Sequence, residues 1–280
     1  MTVINTNTGS IYAQQALIAN SRGLDRTMQQ LSTGKRINNS VDDVAGMAIA
    51  TRLSAQIRGL NQAVRNANDG ISIIQTAEGA TEQVTNMLQR MRELAVQAAN
   101  DTNNTDDRTF LNMEFQALNS QINTIANNTQ WNAAPLLNGP KRDTGTGIFS
   151  FQIGANAKQT ISVTFPNMMT TGTGRLSDVQ PTAITNTNAA NSALGTISSA
   201  LDLVNLERAK MGAVISRLQF TSDNLFSVSA KASESRSRIE DTDYSVATTD
   251  LARRNIIQQA AQSMLAQANQ APQLVLQLLK

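Results

Sequence analysis

Apolar residues near the C-terminus recur along one side of a predicted helix. Within residues 239–280 the small or apolar positions alternate in steps of four and three: Ile257, Ala261, Met264, Ala268, Ala271, Val275 and Leu278. A repeat that averages 3.5 residues is typical of a helix that packs along a seam. Most other positions are Gln, Asn, Ser or Ala. This helix has one face to bury, and its partner lies far away in the chain or in another molecule.

The first 33 residues carry a related pattern. Ile4, Ile11 and Ile18 are spaced by seven, and a second set comprises Leu17, Leu24, Met28 and Leu31. Both sets fit the seam of a weakly amphipathic helix. We therefore expect the two terminal helices to pair, with the intervening residues folded back between them. Under the alternative interpretation, either stretch is the edge of an ordinary helical domain.

A much longer helix is predicted from Val44 to about residue 99. Its seam positions again follow steps of four and three: Leu53, Ile57, Leu60, Val64, Ala67, Ile71, Ile74, Ala77, Thr81, Val84, Leu88, Met91, Ala95 and Ala98. Gly59, Gly70 and Gly79 interrupt this helix, and each costs about 1 kcal/mol relative to alanine. We expect another backbone to pack closely at these glycines.

Three further elements follow in the chain. Residues 109–125 predict a shorter helix that returns beside the first, with Leu111, Phe115, Leu118, Ile122 and Ile125 on its apolar face. Residues 148–165 alternate apolar and polar side chains around a Gly-containing loop, which is the only β signal and predicts a hairpin. Residues 194–232 predict a second long helix, in which Arg208 and Ser222 occupy positions where the repeat favours apolar groups.

The segment between residues 32 and 46 breaks the helical pattern. Gly34, an Asn-Asn-Ser run and the acidic pair Asp42 and Asp43 indicate a linker followed by a new helix. Lys35 and Arg36 precede those aspartates by a few residues. We interpret this segment as a solvated charged loop.

Together the patterns predict a mainly α fold. It is a long antiparallel coiled-coil-like helical rod with a small β-hairpin and paired N- and C-terminal helices. The predicted domains are residues 1–42, an N-terminal helix of an inner core domain; 43–236, a helical rod with a hairpin region at about 136–176; and 237–280, a C-terminal helix that pairs with 1–42.

Composition narrows the possible functions. Charged residues make up 16% and aromatic residues 4% of the 280 residues, and the chain has no cysteine and no histidine. We therefore expect no enzyme, cofactor or metal site, and the lack of a basic stripe with aromatics argues against nucleic acid. No apolar run is long enough for a membrane span, and the N-terminus lacks a secretory signal. These residues alone predict a cytoplasmic protein.

Several motifs resemble those of bacterial flagellin. They are LSTGKRINNSVDDVAGMAIA, NDGISIIQTAEGAT followed by LQRMRELAVQAAN, and IEDTDY with MLAQANQAP and the closing LQLLK. The resemblance covers roughly residues 1–135 and 187–280. Only about 50 residues separate the two blocks, so the outer domains of longer flagellins are expected to be absent.

The resemblance implies a structural subunit that self-assembles into the flagellar filament for motility. Members of that family leave the cell unfolded through the flagellar secretion channel, which changes the expected location to extracellular. The implied partners are other copies of the chain, an export chaperone that binds roughly residues 240–280, and the filament cap and hook-junction proteins. The implied polymerisation helices carry Ile4, Ile11, Ile18, Leu24, Leu31, Ile257, Met264, Val275 and Leu278.

The resemblance also implies recognition by the host Toll-like receptor for flagellin. The matching residues are Arg90 and Leu94, four apart on one helix, and Glu114 on the following helix. Leu94 also fits the adjacent seam, so it could serve either role. The terminal Leu276, Leu278 and Leu279 resemble a segment sensed by cytosolic innate receptors.

Two other functions fit parts of the pattern. A hook–filament junction protein or a minor flagellin shares the terminal helices, whereas the complete long-helix motifs and MLAQANQAP favour the main filament subunit. The cytoplasmic coiled coil of a chemoreceptor also has long neutral heptads. Such a module would lack the hairpin and would carry membrane spans.

Overall fold

The computed structural model describes residues 6–139, 147–172, 174–180 and 182–278, with backbone alone for residues 271–278. Its described residues form five helices: α1 (Thr8–Thr33), α2 (Val44–Ala98), α3 (Thr105–Asn128), α4 (Thr187–Glu240) and α5 (Tyr244–Leu278). The described strands are β1 (Gln130–Trp131), β2 (Ala134–Pro135), β3 (Ile148–Gln152) and β4 (Thr160–Thr164). The predicted mainly α fold class is confirmed.

Contacts divide the chain into two compact units. Residues 58–229 form the central unit, and residues 1–57 together with 230–280 form the terminal unit. Each unit has its own packing and is described separately. The domain boundaries after residues 42 and 236 stay predictions.

The core of the central unit follows the predicted repeats. Within this unit ten predicted seam positions of α2 are buried: Leu60, Ala67, Ile74, Ala77, Thr81, Val84, Leu88, Met91, Ala95 and Ala98. In α4 every seventh residue is buried within this unit: Ala190, Ile197, Val204, Met211, Leu218 and Leu225. From α3, Phe115 and Ile122 enter the same core without any exposed surface. Because these apolar side chains are removed from water almost completely, their burial contributes much of the stability of this unit.

A charged residue, Glu207, lies in the seam of α4. Its side chain is 5% exposed, and its carboxylate forms ion pairs with Arg175 (3.1 Å) and Lys210 (2.9 Å). The sequence pointed instead to Arg208, which is only partly buried and lies 3.9 Å from the Glu78 carboxylate. Glu207, one position earlier, follows the buried Val204 by three residues and the buried Ala200 by seven, which places it on the buried face of α4.

The N-terminus of α3 explains where this helix begins. The Asn104 side chain accepts a hydrogen bond from the backbone N–H of Asp107 (2.8 Å), and the Asp107 carboxylate accepts one from the N–H of Asn104 (3.1 Å). This reciprocal capping box satisfies two backbone donors that would otherwise be unpaired. Asp106 and Asp107 also place negative charge at the positive end of the helix dipole.

The predicted hairpin is formed by β3 and β4. The two strands are antiparallel, with Phe149 opposite Val163 and Phe151 opposite Ile161. The rings of Phe149 and Phe165 meet edge to face with centroids 5.1 Å apart. The alternation of apolar and polar residues therefore correctly predicted both strands and the face that carries their apolar side chains.

Glycines allow this hairpin to approach α2 closely. A Cβ at Gly70 would lie 3.1 Å from the Phe151 ring and 3.2 Å from Leu218. A Cβ at Gly59 would lie 3.0 Å from a side chain in the hairpin loop. The expectation of close packing is wrong for Gly79, where nothing lies within 4 Å of the Cβ position.

A second, smaller hairpin was missed by the sequence analysis. The strands β1 and β2 pair through Trp131 and Ala134 around a two-residue turn. The turn residues Asn132 and Ala133 have φ values of 47° and 61°. Such a turn needs positive φ at both central residues and usually contains glycine. Ala133 is not typical of such a turn. The sequence of this segment therefore indicated only that the preceding helix stops, and it did not predict a second hairpin.

Candidate assembly surface on the terminal helix pair

The helices α1 and α5 form an antiparallel pair. The side-chain amide of Asn7 donates to the backbone carbonyl of Ala268 (2.7 Å), and that of Asn20 donates to the carbonyl of Arg254 (2.9 Å). Near the other end, the Tyr244 hydroxyl donates to the carbonyl of Leu31 at 3.4 Å. The predicted pairing of the two chain ends is confirmed.

The seam between these helices is only partly apolar. Its half-buried apolar residues are Ala13, Leu17, Leu24, Leu31, Leu251, Ala261, Leu265 and Ala268. The most buried side chains of α1 are polar, because Asn20 is 8% and Thr27 4% exposed. The Thr27 hydroxyl donates its hydrogen bond to the backbone carbonyl of Gly23 in the same helix. This seam excludes less apolar surface from water than an ordinary coiled coil does.

The larger apolar residues lie outside this seam. Ile11 is 48% and Ile18 51% exposed on α1, and Ile257 is 45% and Met264 62% exposed on α5. The sequence placed Ile257 and Met264 on one seam with Ala261 and Ala268, and it placed Ile11 and Ile18 on the matching seam of α1. This part of the prediction is wrong, because all four large side chains are exposed in the folded chain. We call Ile11, Ile18, Ile257 and Met264 the apolar stripe.

The other predicted polymerisation residues fall into three groups. Leu24 and Leu31 are half-buried in the seam between the helices. Ile4 lies outside the described residues. Val275 and Leu278 belong to α5, but their side chains, like those of Leu276 and Leu279, are outside the described part.

A close contact at Gly23 was missed by the sequence analysis. A Cβ at Gly23 would overlap the Arg254 guanidinium, which lies directly across this position. The Nε of Arg254 is buried and has no hydrogen-bond partner among the described residues. The available signal was a glycine in the middle of a helix, together with the only cation of α5 that falls on its buried face.

The two loops next to the helix pair are clipped together. Lys35 and Asp241 form an antiparallel β-bridge, in which the N–H of Thr242 donates to the carbonyl of Gly34 (3.0 Å). The Lys35 ammonium lies 2.6 Å from the Glu240 carboxylate. Gly34 ends α1 with a left-handed φ of 71°, a conformation that glycine adopts without strain. The expected solvated loop is therefore an ordered clip, whose partner lies more than 200 residues away in the sequence.

Asp42 holds the loop that precedes α2. Its carboxylate accepts hydrogen bonds from the N–H groups of Asn39 (3.0 Å) and Asn38 (3.1 Å) and lies 3.1 Å from the Arg26 guanidinium. The hydrogen bond from Asn39 is the main cause that lowers the pKa of Asp42, with smaller contributions from Asn38 and Arg26. This carboxylate is thus charged in the folded loop at neutral pH.

The residues implied in receptor recognition lie in the central unit. The Arg90 guanidinium is 2.9 Å from both the Glu114 and the Glu93 carboxylates, and these contacts raise the pKa of Arg90. The side chains of Arg90 and Glu114 are 51% and 46% exposed, so they share an accessible surface. Leu94, by contrast, is 1% exposed and belongs to the core. The structure brings two of the three residues together at the surface.

The described residues contain neither a cluster of metal ligands nor a helix that could span a membrane. No three His, Cys, Asp or Glu side chains are grouped as metal ligands in the described ranges. None of the helices, as far as they are described, has the length and hydropathy needed to cross a membrane.

Comparison with known proteins identifies close relatives. Residues 4–142 match the bacterial flagellin N-terminal helical region, and residues 194–279 match the C-terminal helical region. The chain is 41% identical over 278 residues to a flagellin of Halalkalibacterium halodurans, covering 99% of this chain and 100% of that protein. It is 37% identical over 286 residues to the flagellar filament 33 kDa core protein of Treponema phagedenis, covering 99% and 100%.

Solved structures show related folds. The crystal structure of Bacillus cereus flagellin matches with a TM-score of 0.50 and 28% identity, covering 57% of this chain and 88% of that chain. A flagellar hook-associated protein from Vibrio parahaemolyticus matches with a TM-score of 0.59, covering 71% of this chain and 100% of that chain. Its sequence identity is only 13%, so this second match concerns the fold alone.

Proposed function

The chain belongs to the bacterial flagellin family and is a structural subunit of the flagellar filament, and we propose that it polymerises by packing the apolar stripe of each copy against neighbouring copies. The observation that carries this proposal is the exposure of Ile11, Ile18, Ile257 and Met264 on helices whose own seam is partly polar. Full burial of an exposed large apolar side chain gains about 1.5–3 kcal/mol, and these side chains, which are about half exposed, have roughly half of that gain left. Four such residues in each copy give neighbouring subunits a substantial gain on contact.

Assembly and ordering of the chain ends are coupled in this proposal. Fixing the backbone of each residue costs about 1–2 kcal/mol, and a pair of helices with half-buried leucines and polar contacts offsets little of that cost. Contacts with neighbouring copies supply the missing burial, so the ends gain helix as the filament grows. Equal helix content in monomer and filament, measured by circular dichroism, would count against this coupling.

We expect the contacts between copies to build an open polymer. A stripe that meets a different surface of the next copy makes a head-to-tail contact, which continues unless the rotation happens to close a ring. The flagellar filament lies outside the cell. We propose that the chain reaches it unfolded through the flagellar secretion channel, with an export chaperone bound to residues 240–280.

Seeded elongation tests the main proposal. We expect Ile257→Ser combined with Met264→Ser to slow elongation from filament seeds by at least about tenfold, the effect of losing about 1.4 kcal/mol per subunit contact. Gln259→Ser with Gln262→Ser is the matched control, since both glutamines are exposed on α5 and lie off the stripe. Electron microscopy and light scattering measure the growth. Normal elongation of the Ile257/Met264 variant would overturn the proposal.

A junction role is the alternative within the same superfamily. Such a protein would share the paired terminal helices, whereas identity of 41% over nearly the whole chain to a flagellin supports the filament subunit. A deletion strain separates the two. Loss of long filaments supports the main subunit, and persistence of long filaments indicates a junction protein or minor flagellin. In either position, the filament cap and hook-junction proteins are the proposed neighbours at the filament ends.

A second proposed partner is the host Toll-like receptor for flagellin. The paired and exposed side chains of Arg90 and Glu114 support this proposal, because a planar guanidinium is a frequent anchor at interfaces. Leu94 contributes indirectly in this proposal, by fixing the helix that carries Arg90 through its buried side chain.

A further inference from the structure

Both α1 and α5 carry large apolar residues on more than one face, so more than one pairing of these helices can bury apolar surface. Ile11, Ile18, Ile257 and Met264 are larger or more apolar than many residues of the actual seam, yet all four are exposed. By the hydrogen bonds from Asn7 to Ala268 and from Asn20 to Arg254, Ile11 is level with Met264 and Ile18 with Ile257. A pair of helices rotated about their axes could therefore bury the stripe against itself. That rotated arrangement would bury the stripe but would uncover the leucines of the present seam, so each arrangement covers one set of large apolar side chains and exposes the other.

Three residues favour the observed arrangement. Asn20 is 8% exposed, and its amide reaches the backbone carbonyl of Arg254 at 2.9 Å only when this face of α1 meets α5. The Arg254 guanidinium occupies the space that a side chain at position 23 would fill, so it can keep this position only opposite a glycine. Rotation of α1 would replace Gly23 by a position that carries a side chain and would remove the hydrogen bond of Asn20.

These groups are poor choices for stability alone. The buried Nε of Arg254 has no hydrogen-bond partner among the residues the structure describes, and a buried unpaired polar group costs free energy. Glycine within a helix is likewise less favourable than alanine. Polar groups at a helix seam can instead select one packing arrangement among several of similar energy.

We propose that Asn20, Gly23 and Arg254 select the faces through which α1 and α5 pair, and so keep the apolar stripe exposed for other copies of this chain. The inference rests on the proposed function, because the stripe is the proposed contact between subunits. A chain with the rotated pair would bury its own stripe and would lose the surface that the next subunit needs.

Pairs of introduced cysteines can report which faces meet, because the chain has no cysteine of its own. Gly9→Cys with Ala268→Cys reports the observed arrangement, since a Cβ at Gly9 lies 3.9 Å from the Ala268 Cβ, within the range of a disulfide. Gln15→Cys with Ala260→Cys reports the rotated one. Gln15 lies between the two stripe residues of α1, and Ala260 lies between those of α5; both are exposed.

The experiment compares intramolecular crosslinking of the two reporter pairs in the full-length chain, before and after seeded elongation. In the parent chain we expect the Gly9/Ala268 reporter to exceed the Gln15/Ala260 reporter by at least about tenfold, which corresponds to about 1.4 kcal/mol. Gly23→Leu should reduce this ratio at least about tenfold and slow elongation, because leucine collides with Arg254. Adding Arg254→Ala to Gly23→Leu should restore both.

The rescue distinguishes face selection from a general folding defect, since the rescued chain carries the same leucine. Ala19→Leu is the matched control, because Ala19 is an exposed position of α1 outside the seam. An unchanged ratio in Gly23→Leu, or no rescue by Arg254→Ala, overturns the inference. Normal elongation of a chain whose ratio has reversed also overturns it. A parent chain that shows the expected ratios but never elongates contradicts the proposed function and leaves the face selection standing.

Discussion

The central and terminal units use the same seven-residue spacing in opposite ways. In the central unit every seventh residue of α4 from Ala190 to Leu225 is buried, and large side chains such as Phe115 have no exposed surface. In the terminal unit the seam is half-buried and partly polar, while Ile257 and Met264 are exposed. A repeat therefore indicates that a helix packs along one face. It does not show whether that face is covered within the same molecule.

The difference separates stability from assembly. A unit whose apolar face is fully covered gains its free energy of folding alone, whereas a unit with an exposed stripe gains part of it from other copies. We therefore expect variants in the central unit to change the stability of the single chain. Variants in the apolar stripe should mainly change growth of the filament.

The largest effect on stability is expected for Phe115→Ala. Removing this fully buried ring should lower the free energy of unfolding by about 3–5 kcal/mol, through lost burial and the cavity that remains. Phe110→Ala on the same helix is the matched control, because Phe110 is 68% exposed and should change stability by less than about 0.5 kcal/mol. Urea unfolding of the monomer measures both. Similar losses for the two variants would mean that α3 does not pack as described.

A smaller effect is expected on signalling through the receptor. Arg90→Ala with Glu114→Ala should reduce signalling through the Toll-like receptor for flagellin by at least about tenfold, because it removes a charged pair exposed on the central unit. The Ile257→Ser/Met264→Ser chain should signal normally as a monomer. This outcome would show that receptor signalling depends on the central unit and not on the apolar stripe. Unchanged signalling by the Arg90/Glu114 variant would remove the receptor proposal.

The smallest effect is expected from the Asp42 carboxylate at acid pH. Because folding lowers its pKa from the usual value near 3.8, its contribution to stability is present above that value and is lost as the pH falls through the folded pKa. Asp42→Asn should therefore weaken the loop before α2 at neutral pH and make little difference in strong acid. Amide hydrogen exchange at Asn38 and Asn39, followed from pH 6 to pH 3, measures this. Equal protection in both chains at pH 6 would contradict the prediction.

Local patterns in the sequence determined most of the elements. Spacing of apolar residues gave the extent of α2, the face of α3 and the strands β3 and β4, because each depends on the periodicity of its own backbone. The same reasoning gave the pairing of the two chain ends. It missed β1 and β2, because Ala133 adopts a positive φ that its sequence does not signal.

Only the tertiary structure decided which face of each terminal helix is covered. The sequence offered two apolar tracks on α1, one through Leu17 and Leu24 and one through Ile11 and Ile18. The contact of Gly23 with Arg254 and the loop clip between Lys35 and Asp241 join residues more than 200 positions apart. Periodicity describes one helix at a time, whereas the choice of face depends on steric fit and hydrogen bonds between two helices, which form only when the chain has folded.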